Sequence, residues 1–255
     1  MRAVILAGGL GTRLAEETDV RPKPMVEVGY QPLLWHVMKH LAVHGITEFV
    51  VALGYRGEVI KRYFLEYAPL RSDLTISLSD GRVLSEGHER EDFTVHLVDT
   101  GFATNTGGRL RRLRRYLGEE RFLLTYGDGV SNVDVGQLLA HHESHGRLVT
   151  VTAVHPPSRF GALDFTDRGG ARFVEKPQMG EGWINGGFMV MEPGIFDFID
   201  GDEASLESEV LEGLAAKDEL SAYPHEGFWQ CVDTLRELQI LRSLWMSGDP
   251  PWRTW

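Results

Sequence analysis

The stretch that decides the fold is Val4-Ile5-Leu6-Ala7-Gly8-Gly9-Leu10-Gly11-Thr12-Arg13, near the start of the chain. Its first four residues are apolar and two of them are β-branched, a pattern that predicts a short buried strand. The glycines that follow predict a loop, because glycine lets the backbone turn sharply and approach a neighbouring group closely. A buried strand that ends in a glycine-rich loop favours an α/β fold with its ligand site at the carboxyl end of the strand.

Downstream, strand patterns alternate with helix patterns, the order expected of parallel strands joined by helical crossovers. The predicted strands cover residues 4–7, 48–53, 74–78, 94–98, 122–126, 148–154 and 188–191, with a short strand near Phe173, and the predicted helices cover 33–41, 58–66, 134–145, 205–216 and 234–246. We expect one Rossmann-like α/β domain over residues 1–255, with a mixed, mainly parallel sheet and helices on both faces. The polar segment 80–92 is expected to be a loop or hairpin insertion, and the chain is expected to end in a helical tail.

The composition limits the class of protein. Of the 255 residues, 42% are hydrophobic and 25% are charged, which excludes disordered and collagen-like chains. A net charge of −11 argues against nucleic acid and membrane surfaces as partners, so any anion must be held locally. The single cysteine, Cys231, cannot form an internal disulfide, and no apolar stretch reaches the roughly 20 residues that a membrane span needs. We therefore expect a cytoplasmic protein.

The glycine loop has the features of a triphosphate-binding loop. Its backbone N–H groups can approach an anion closely, while Thr12 and Arg13 add a hydroxyl group and a guanidinium. The spacing excludes a P-loop, which needs Lys and then Ser or Thr after its second glycine, and a dinucleotide fingerprint, which needs glycine where Leu14 stands. The alternative that these glycines only shape a tight turn stays open on this pattern alone.

A basic segment, Arg21-Pro22-Lys23-Pro24, follows the loop. The two prolines restrict the backbone around Lys23, which suits a point charge aimed at a phosphate. Further along, Asp128 lies between two glycines at the end of a predicted strand, where its carboxylate can reach a hard cation such as Mg²⁺.

Together these motifs resemble the signature of the sugar-phosphate nucleotidyltransferases. The resemblance is carried by Leu6-Ala7-Gly8-Gly9-Leu10-Gly11-Thr12-Arg13-Leu14, Pro22-Lys23-Pro24-Met25, Tyr126-Gly127-Asp128-Gly129, Glu175-Lys176-Pro177, Asn185-Gly186-Gly187 and Trp229-Gln230-Cys231-Val232-Asp233-Thr234. It covers essentially the whole chain. It implies the nucleotide-diphospho-sugar transferase type of Rossmann-like fold, the transfer of a nucleotidyl group from a triphosphate to a sugar 1-phosphate, and a homo-oligomer.

Four further segments resemble the members of this family that use CTP and glucose 1-phosphate. They are Leu14-Ala15-Glu16-Glu17-Thr18, Thr106-Gly107-Gly108-Arg109-Leu110, Phe160-Gly161-Ala162-Leu163-Asp164 and Pro251-Trp252-Arg253-Thr254-Trp255. A backbone carbonyl at Gly8 or at Gly107-Gly108 could select cytosine by accepting from its N4 amino group. Two alternatives remain: a family member that uses dTTP, UTP or another sugar 1-phosphate, and a catalytically silent nucleotide-sugar sensor.

The resemblance also implies a role for each site residue. Those implied to bind the nucleotide are Leu6, Ala7, Gly8, Gly9, Gly11, Thr12, Thr106, Gly107, Gly108, Arg109, Tyr126 and Gly127; those implied to act in catalysis are Arg13, Lys23 and Lys176; and those implied to bind the sugar are Glu175, Asn185 and Gly186. Asp128 and Asp233 would hold Mg²⁺. No general base is required, because a phosphate monoester with a second pKa near ~6 is already largely dianionic at neutral pH.

Two clusters of basic side chains suggest other functions. In the arginine-rich run over residues 109–115, Leu110 and Leu113 form an apolar stripe at helical spacing, which favours a solvated helix face over a nucleic-acid site. Arg109 is the exception, because it adjoins the glycines and could reach a phosphate. His141, His142 and His145 lack a convincing set of further ligands, so we interpret them as surface residues and not as a metal site.

Overall fold

The computed structural model describes residues 1–87, 91–156, 162–165, 171–174 and 182–255. The strands are β1 (Ala3–Ala7), β2 (Glu27–Val28), β3 (Gln31–Pro32), β4 (Glu48–Leu53), β5 (Asp73–Ile76), β6 (Val83–Glu86), β7 (Thr94–Asp99), β8 (Phe122–Tyr126), β9 (Gly129–Ser131), β10 (Val149–Val154), β11 (Ala162–Phe165), β12 (Ala171–Val174), β13 (Ile184–Asn185), β14 (Met189–Met191), β15 (Leu220–His225) and β16 (Trp229–Cys231). The α-helices are α1 (Ala15–Thr18), α2 (Leu33–Val43), α3 (Gly57–Leu65), α4 (Thr106–Arg112), α5 (Arg114–Leu117), α6 (Val135–His145), α7 (Glu212–Ala216) and α8 (Leu235–Met246). A π-helical segment spans Leu206–Leu211, and 3₁₀ turns span Thr12–Leu14, Lys23–Met25, Pro69–Arg71 and Pro193–Phe198.

The central sheet has eight strands, with β1 in its interior. From one edge, β7, β4, β1 and β8 pair in parallel, and β14 is antiparallel to β8. Next comes β10, which pairs in parallel with β15 along its whole length and antiparallel with β14 and β13 on its other side. The predicted mixed, mainly parallel sheet is confirmed. Because β4 and β8 flank β1 in parallel, the ends of all three strands meet at one side of the sheet.

Helices cover both faces of this sheet, as predicted. In β1, Val4 and Leu6 are buried in one core together with Leu110 of α4, while the alternate residue Ile5 is buried in a second core with Leu34 of α2. This alternation follows from the period of two along a strand. The second core also holds side chains of α3 and α6. The sheet is therefore a rigid platform that holds the loops at its carboxyl edge.

A third core lies beside the sheet and fixes the last part of the chain. Trp252, which is 1% exposed, packs there with Leu238 and Leu241 of α8. The helix begins with a capping box: the Thr234 hydroxyl accepts from the Glu237 backbone N–H, and the Glu237 carboxylate accepts in return from the Thr234 N–H. This box stabilises the first turn of α8, immediately after the predicted metal ligand Asp233.

The structure corrects several predicted elements. The sequence pattern missed β15, because Pro224 and polar residues interrupt its apolar alternation; an edge strand tolerates this proline since one side of it needs no pairing. The predicted strand at 74–78 does not join the central sheet, because β5 pairs only with β6 in a separate hairpin. The predicted helix at 205–216 begins as the π-helical segment. Among the described residues, no helix combines the length and apolar character needed to cross a membrane.

Candidate active site

A cavity of about 400 Å³ opens where the carboxyl ends of β1 and β8 meet. Its lining consists of Leu6, Ala7, Gly8, Gly9, Gly11, Thr12, Lys23, Pro24, Thr104, Asn105, Thr106, Arg109, Tyr126, Asp128 and Asp233. The volume lies in the range of small-molecule sites, and polar groups converge on the cavity from several parts of the chain. The structure thus brings together most of the residues that the sequence nominated for the nucleotide and the metal.

Three lining residues were not predicted. Pro24 belongs to the Pro-Lys-Pro segment already singled out, so that motif could have identified it. Thr104 and Asn105 directly precede α4, where Asn105 is the N-cap and its side chain accepts from the Thr106 N–H. An asparagine just before a helical pattern is an N-cap signal, and this signal could have placed Asn105 at the site.

Gly107 and Gly108, predicted to bind the nucleotide, do not line the cavity. They lie where α4 packs against the segment 202–206, and a Cβ on Gly107 would come within 2.8 Å of the Ala204 carbonyl oxygen. Their small size therefore permits close helix packing. Gly127 also lies outside the cavity lining, and its N–H donates to the Leu6 carbonyl at 3.0 Å, joining the ends of β8 and β1. Direct contact of these glycines with a nucleotide stays a prediction.

The predicted sugar site is only partly described. Asn185 and Gly186 lie at the break between β13 and β14, where the Asn185 side-chain oxygen accepts from the Gly187 N–H at 2.9 Å. The Gly186 carbonyl accepts from the Trp229 indole N–H at 2.7 Å, which fixes this break against β16. Glu175 and Lys176, and the side chain of Arg13, lie outside the described part of the chain, so their roles stay predictions.

The most highly charged part of the cavity is an ion-pair triad. The Lys23 ammonium lies 2.8 Å from Asp128 Oδ2 and 2.5 Å from Asp233 Oδ1, and Lys23 is only 9% exposed. Burial opposes the charge on Lys23, but attraction and hydrogen bonds from the two carboxylates outweigh it and raise the pKa of Lys23. The lysine is therefore a fixed positive charge beside the glycine loop.

A two-stranded ladder holds the two aspartates together. Asp128 precedes β9 and Asp233 follows β16, and these strands pair with Gly129 opposite Cys231. The Val232 N–H also donates to the Asp128 carbonyl at 3.0 Å. Neither short strand was predicted, because each has only three residues.

This pair of carboxylates fits a hard divalent cation. Both reach one ammonium group, so their oxygens already converge on a single positive charge. In the part of the chain that the structure describes, no group of three or more His, Cys, Asp or Glu side chains could enclose a metal. A metal here would complete its oxygen shell with phosphate groups and water, as Mg²⁺ prefers.

Tyr126 and Thr106, both predicted to bind the nucleotide, share one partner. The Tyr126 hydroxyl donates to Glu207 Oε1 at 2.6 Å, and the Thr106 hydroxyl donates to Glu207 Oε2 at 2.7 Å. Burial, with the nearby negative charge of Glu207, raises the pKa of Tyr126, so the phenol stays protonated. Sequence reasoning missed Glu207, which nothing in the local pattern distinguishes from other helical glutamates.

The Gly8 carbonyl, which the sequence suggested as a reader of the base, is already engaged within the chain. It accepts from the Tyr55 N–H and from Arg109 Nη2, both at 3.2 Å. A carbonyl oxygen has two lone pairs, and both are used within the chain. Selection of cytosine by this carbonyl would require the base to displace one of these donors, so it stays a prediction.

The other basic clusters lie outside this cavity. Leu110 and Leu113 are fully buried whereas Arg111, Arg112, Arg114 and Arg115 are exposed, which confirms the predicted solvated face. For His142 the surface interpretation is wrong: it is 1% exposed, with Nδ1 at 2.8 Å from the Thr150 hydroxyl. Burial lowers the pKa of His142, consistent with a core histidine that is satisfied by hydrogen bonds.

Comparison with known proteins is consistent with this geometry. The profile of the nucleotidyl transferase family matches residues 2–239. The chain is 49% identical to glucose-1-phosphate cytidylyltransferase of Salmonella typhimurium and 41% identical to a probable glucose-1-phosphate cytidylyltransferase of Bacillus subtilis, each over 100% of both chains. HddC from Yersinia pseudotuberculosis complexed with GMP-PN superposes with a TM-score of 0.70 at 22% identity, covering 96% of this chain and 99% of that one. This last similarity shows a shared fold.

Proposed function

The chain belongs to the nucleotidyl transferase family, and we propose that it transfers the cytidylyl group of CTP to α-D-glucose 1-phosphate, releasing pyrophosphate and forming CDP-glucose. The observation that carries this proposal is the convergence of the glycine loop, Lys23 and the Asp128–Asp233 pair on one cavity. These groups suit a phosphate-rich substrate, in a chain that aligns from end to end with a glucose-1-phosphate cytidylyltransferase.

The chemistry that we propose is one in-line displacement. A phosphate oxygen of the sugar 1-phosphate attacks the α-phosphorus of the triphosphate, forming one P–O bond while the bond to pyrophosphate breaks. Since the attacking phosphate is already largely ionised near neutral pH, no side chain needs to take a proton. The task of the protein is to align two anions that repel each other.

Lys23 is the described side chain best placed for this alignment. The residue lines the cavity together with the glycine loop, in which Gly9 and Leu10 are exposed and whose backbone N–H groups can meet phosphate oxygens. To contact a phosphate, Lys23 would use its third N–H or exchange one of its carboxylate partners for the incoming anion. By family resemblance, Arg13 would hold the β- and γ-phosphates and Lys176 the sugar phosphate.

Asp128 and Asp233 are the residues that would hold the divalent metal, and we propose Mg²⁺. When bound, the metal would neutralise charge on the phosphate groups. The two carboxylates would hold it from the ladder formed by β9 and β16, which joins the two chain segments that carry them.

A panel of substrates tests the proposal. Pyrophosphate release is measured with CTP, dTTP, UTP and GTP, each with glucose 1-phosphate and then with mannose 1-phosphate, in the presence of Mg²⁺. We expect CTP with glucose 1-phosphate to give the highest kcat/KM, about 100-fold or more above other bases, and a product with the mass of CDP-glucose. A different preferred pair would identify another member of the family. Triphosphate binding without any pyrophosphate release would favour the sensor alternative.

We also propose a cytoplasmic homo-oligomer in which the β5–β6 hairpin contacts a second copy of the chain. An isolated two-stranded hairpin is only marginally stable in water, and this one exposes Leu74, Ile76, Val83 and Leu84 by 39–61%. Light scattering is expected to give a mass of more than one chain, and Leu84→Asp to lower it. A single-chain mass at every concentration would reject this contact.

A further inference from the structure

Arg109 occupies an unusual position for a residue expected to bind phosphate. It is one of the residues that line the cavity, but it is only 5% exposed, and its guanidinium is buried where three segments of the chain meet. Nη1 donates to the Leu53 carbonyl at 3.1 Å, the Thr100 hydroxyl at 2.8 Å and the Gly101 carbonyl at 2.7 Å, and Nη2 donates to the Gly8 and Phe102 carbonyls at 3.2 Å. One side chain therefore joins the end of β1, the end of β4 and the loop after β7.

Two glycines leave the space that this guanidinium fills. A Cβ on Gly8 would overlap it, and the three atoms nearest to that Cβ all belong to Arg109. Gly8 does not have the positive φ that favours glycine, and the nearest obstacle to a side chain there is the arginine. A Cβ on Gly54 would lie 2.5 Å from Arg109 Nη1 and 2.6 Å from the Gly8 carbonyl oxygen. The guanidinium is therefore sufficient by itself to disfavour a side chain at position 8.

The energetics favour a fixed arrangement. Burying a guanidinium is costly unless its N–H groups find acceptors, and here they find four backbone carbonyls and one hydroxyl. Hydrogen bonds from a charged donor are about twice as strong as neutral ones, so the carbonyls are held firmly. Burial lowers the pKa of Arg109, but an arginine remains charged at neutral pH.

We propose that Arg109 is a positioning residue: its guanidinium ties the glycine loop at Gly8 to the end of β4 and to residues 100–102, its backbone belongs to α4, which begins at the cavity wall, and it so presets the width of the nucleotide site. This inference rests on the proposed function. It assigns Arg109 the role of holding the cavity wall, instead of a contact with phosphate, and it pairs Arg109 with Gly8 as one unit.

A double-mutant cycle tests this unit. We expect Arg109→Ala to raise the KM for CTP about tenfold while kcat changes less than about threefold, because the wall loosens but the reacting groups remain. Gly8→Ala should act similarly, since its Cβ displaces the guanidinium. In the double variant, Gly8→Ala should raise the KM by less than about twofold over that of Arg109→Ala alone, because the guanidinium atoms that the new Cβ would contact have been removed.

The chain offers two matched controls. Gly54→Ala should remain harmful after Arg109→Ala, because its Cβ would still meet the Gly8 carbonyl. Arg111→Ala, an exposed arginine on the same helix, should leave KM and melting temperature unchanged. Guanidinium chloride at millimolar concentration should lower the KM of Arg109→Ala but not that of the double variant, whose new methyl group fills the space.

The melting temperatures of the same four proteins are also measured without substrate. Because this measurement needs no enzyme activity, its outcome does not depend on the proposed function. Absence of pyrophosphate release would reject the transferase, while the melting cycle would still test the Arg109–Gly8 unit. If Arg109→Ala does not fold, Arg109→Gln replaces it in every arm. The proposal is overturned if the effects of Gly8→Ala and Arg109→Ala on KM multiply in the double variant and their effects on melting temperature add. That result would favour direct contact of Arg109 with the nucleotide.

Discussion

Lys23 and Asp233 form a 2.5 Å ion pair between residues 210 positions apart in the chain. Asp128 shares the same ammonium at 2.8 Å. Without substrate, the positive charge between the two carboxylates is therefore the chain's own lysine. A divalent metal held by these carboxylates, as proposed above, would compete with Lys23 for the same oxygens.

Lys23→Met tests this competition. We expect the variant without nucleotide to bind Mn²⁺ about tenfold more tightly than the unmodified protein, because the carboxylates lose their internal counter-ion. Electron paramagnetic resonance of free Mn²⁺ measures the affinity. Lys39→Met is the control, since Lys39 pairs with Glu91 at 2.9 Å, outside this cavity. Unchanged Mn²⁺ affinity in Lys23→Met would argue against a shared site.

Asp128→Asn is expected to lower metal-dependent turnover about 100-fold or more and to preserve the fold, because the amide keeps the shape but not the charge of the carboxylate. Initial rates over a range of Mg²⁺ concentrations measure the loss, and circular dichroism checks the fold. Asp197→Asn, at an exposed position in a 3₁₀ turn, should behave as the unmodified protein. Near-normal turnover in Asp128→Asn would remove Asp128 from the metal site.

Glu207→Ala should raise the KM for the triphosphate about tenfold. The carboxylate accepts hydrogen bonds from the hydroxyls of both Tyr126 and Thr106, which line the cavity. Each hydrogen bond to a charged group stabilises this part of the wall by about 1.5–3 kcal/mol. Steady-state kinetics measure the change, with Glu207→Gln giving a smaller effect because it keeps one oxygen acceptor. Glu212→Ala, at an exposed position in α7, is the control. Equal KM values in all variants would contradict the role of Glu207.

The stability of the protein should fall in mild acid, in part through His36. Burial lowers the pKa of His36 from 6.5 to about 4, and its Nε2 donates to the Val28 carbonyl at 2.8 Å. Between pH 6.5 and 4 the unfolded chain therefore binds more protons than the folded one, so stability decreases as the pH is lowered through this window. The full effect is about 3 kcal/mol per histidine.

Urea unfolding at several pH values measures this effect. We expect His36→Gln to reduce the slope of stability against pH between 6.5 and 4 by less than half of the histidine contribution, because His40, with a pKa also lowered to about 4, and other histidines with lowered pKa values such as His142 retain the rest. An unchanged slope in His36→Gln would show that its protonation is not coupled to unfolding.

Most elements of the sheet and its helices could be predicted because their signals are local. The apolar run of β1, the helical periodicity of α2 and the glycines after β1 each lie within about ten residues of sequence. Family motifs then nominated Lys23 and the two aspartates. The edge strand β15 and the short ladder of β9 and β16 escaped prediction, because pairing with distant strands stabilises them more than their own residues do.

The sequence by itself thus determined the α/β class, the family and which charged residues to expect in the site. Only the tertiary structure decided which groups those residues meet: Lys23 between two carboxylates, Glu207 under two hydroxyls, and Arg109 on the carbonyls behind the glycine loop. The Glu207 and Arg109 contacts with Thr106 and Gly8 each span about 100 positions in the chain. Strand register and helix packing set such distances, and no local spacing of residues encodes them.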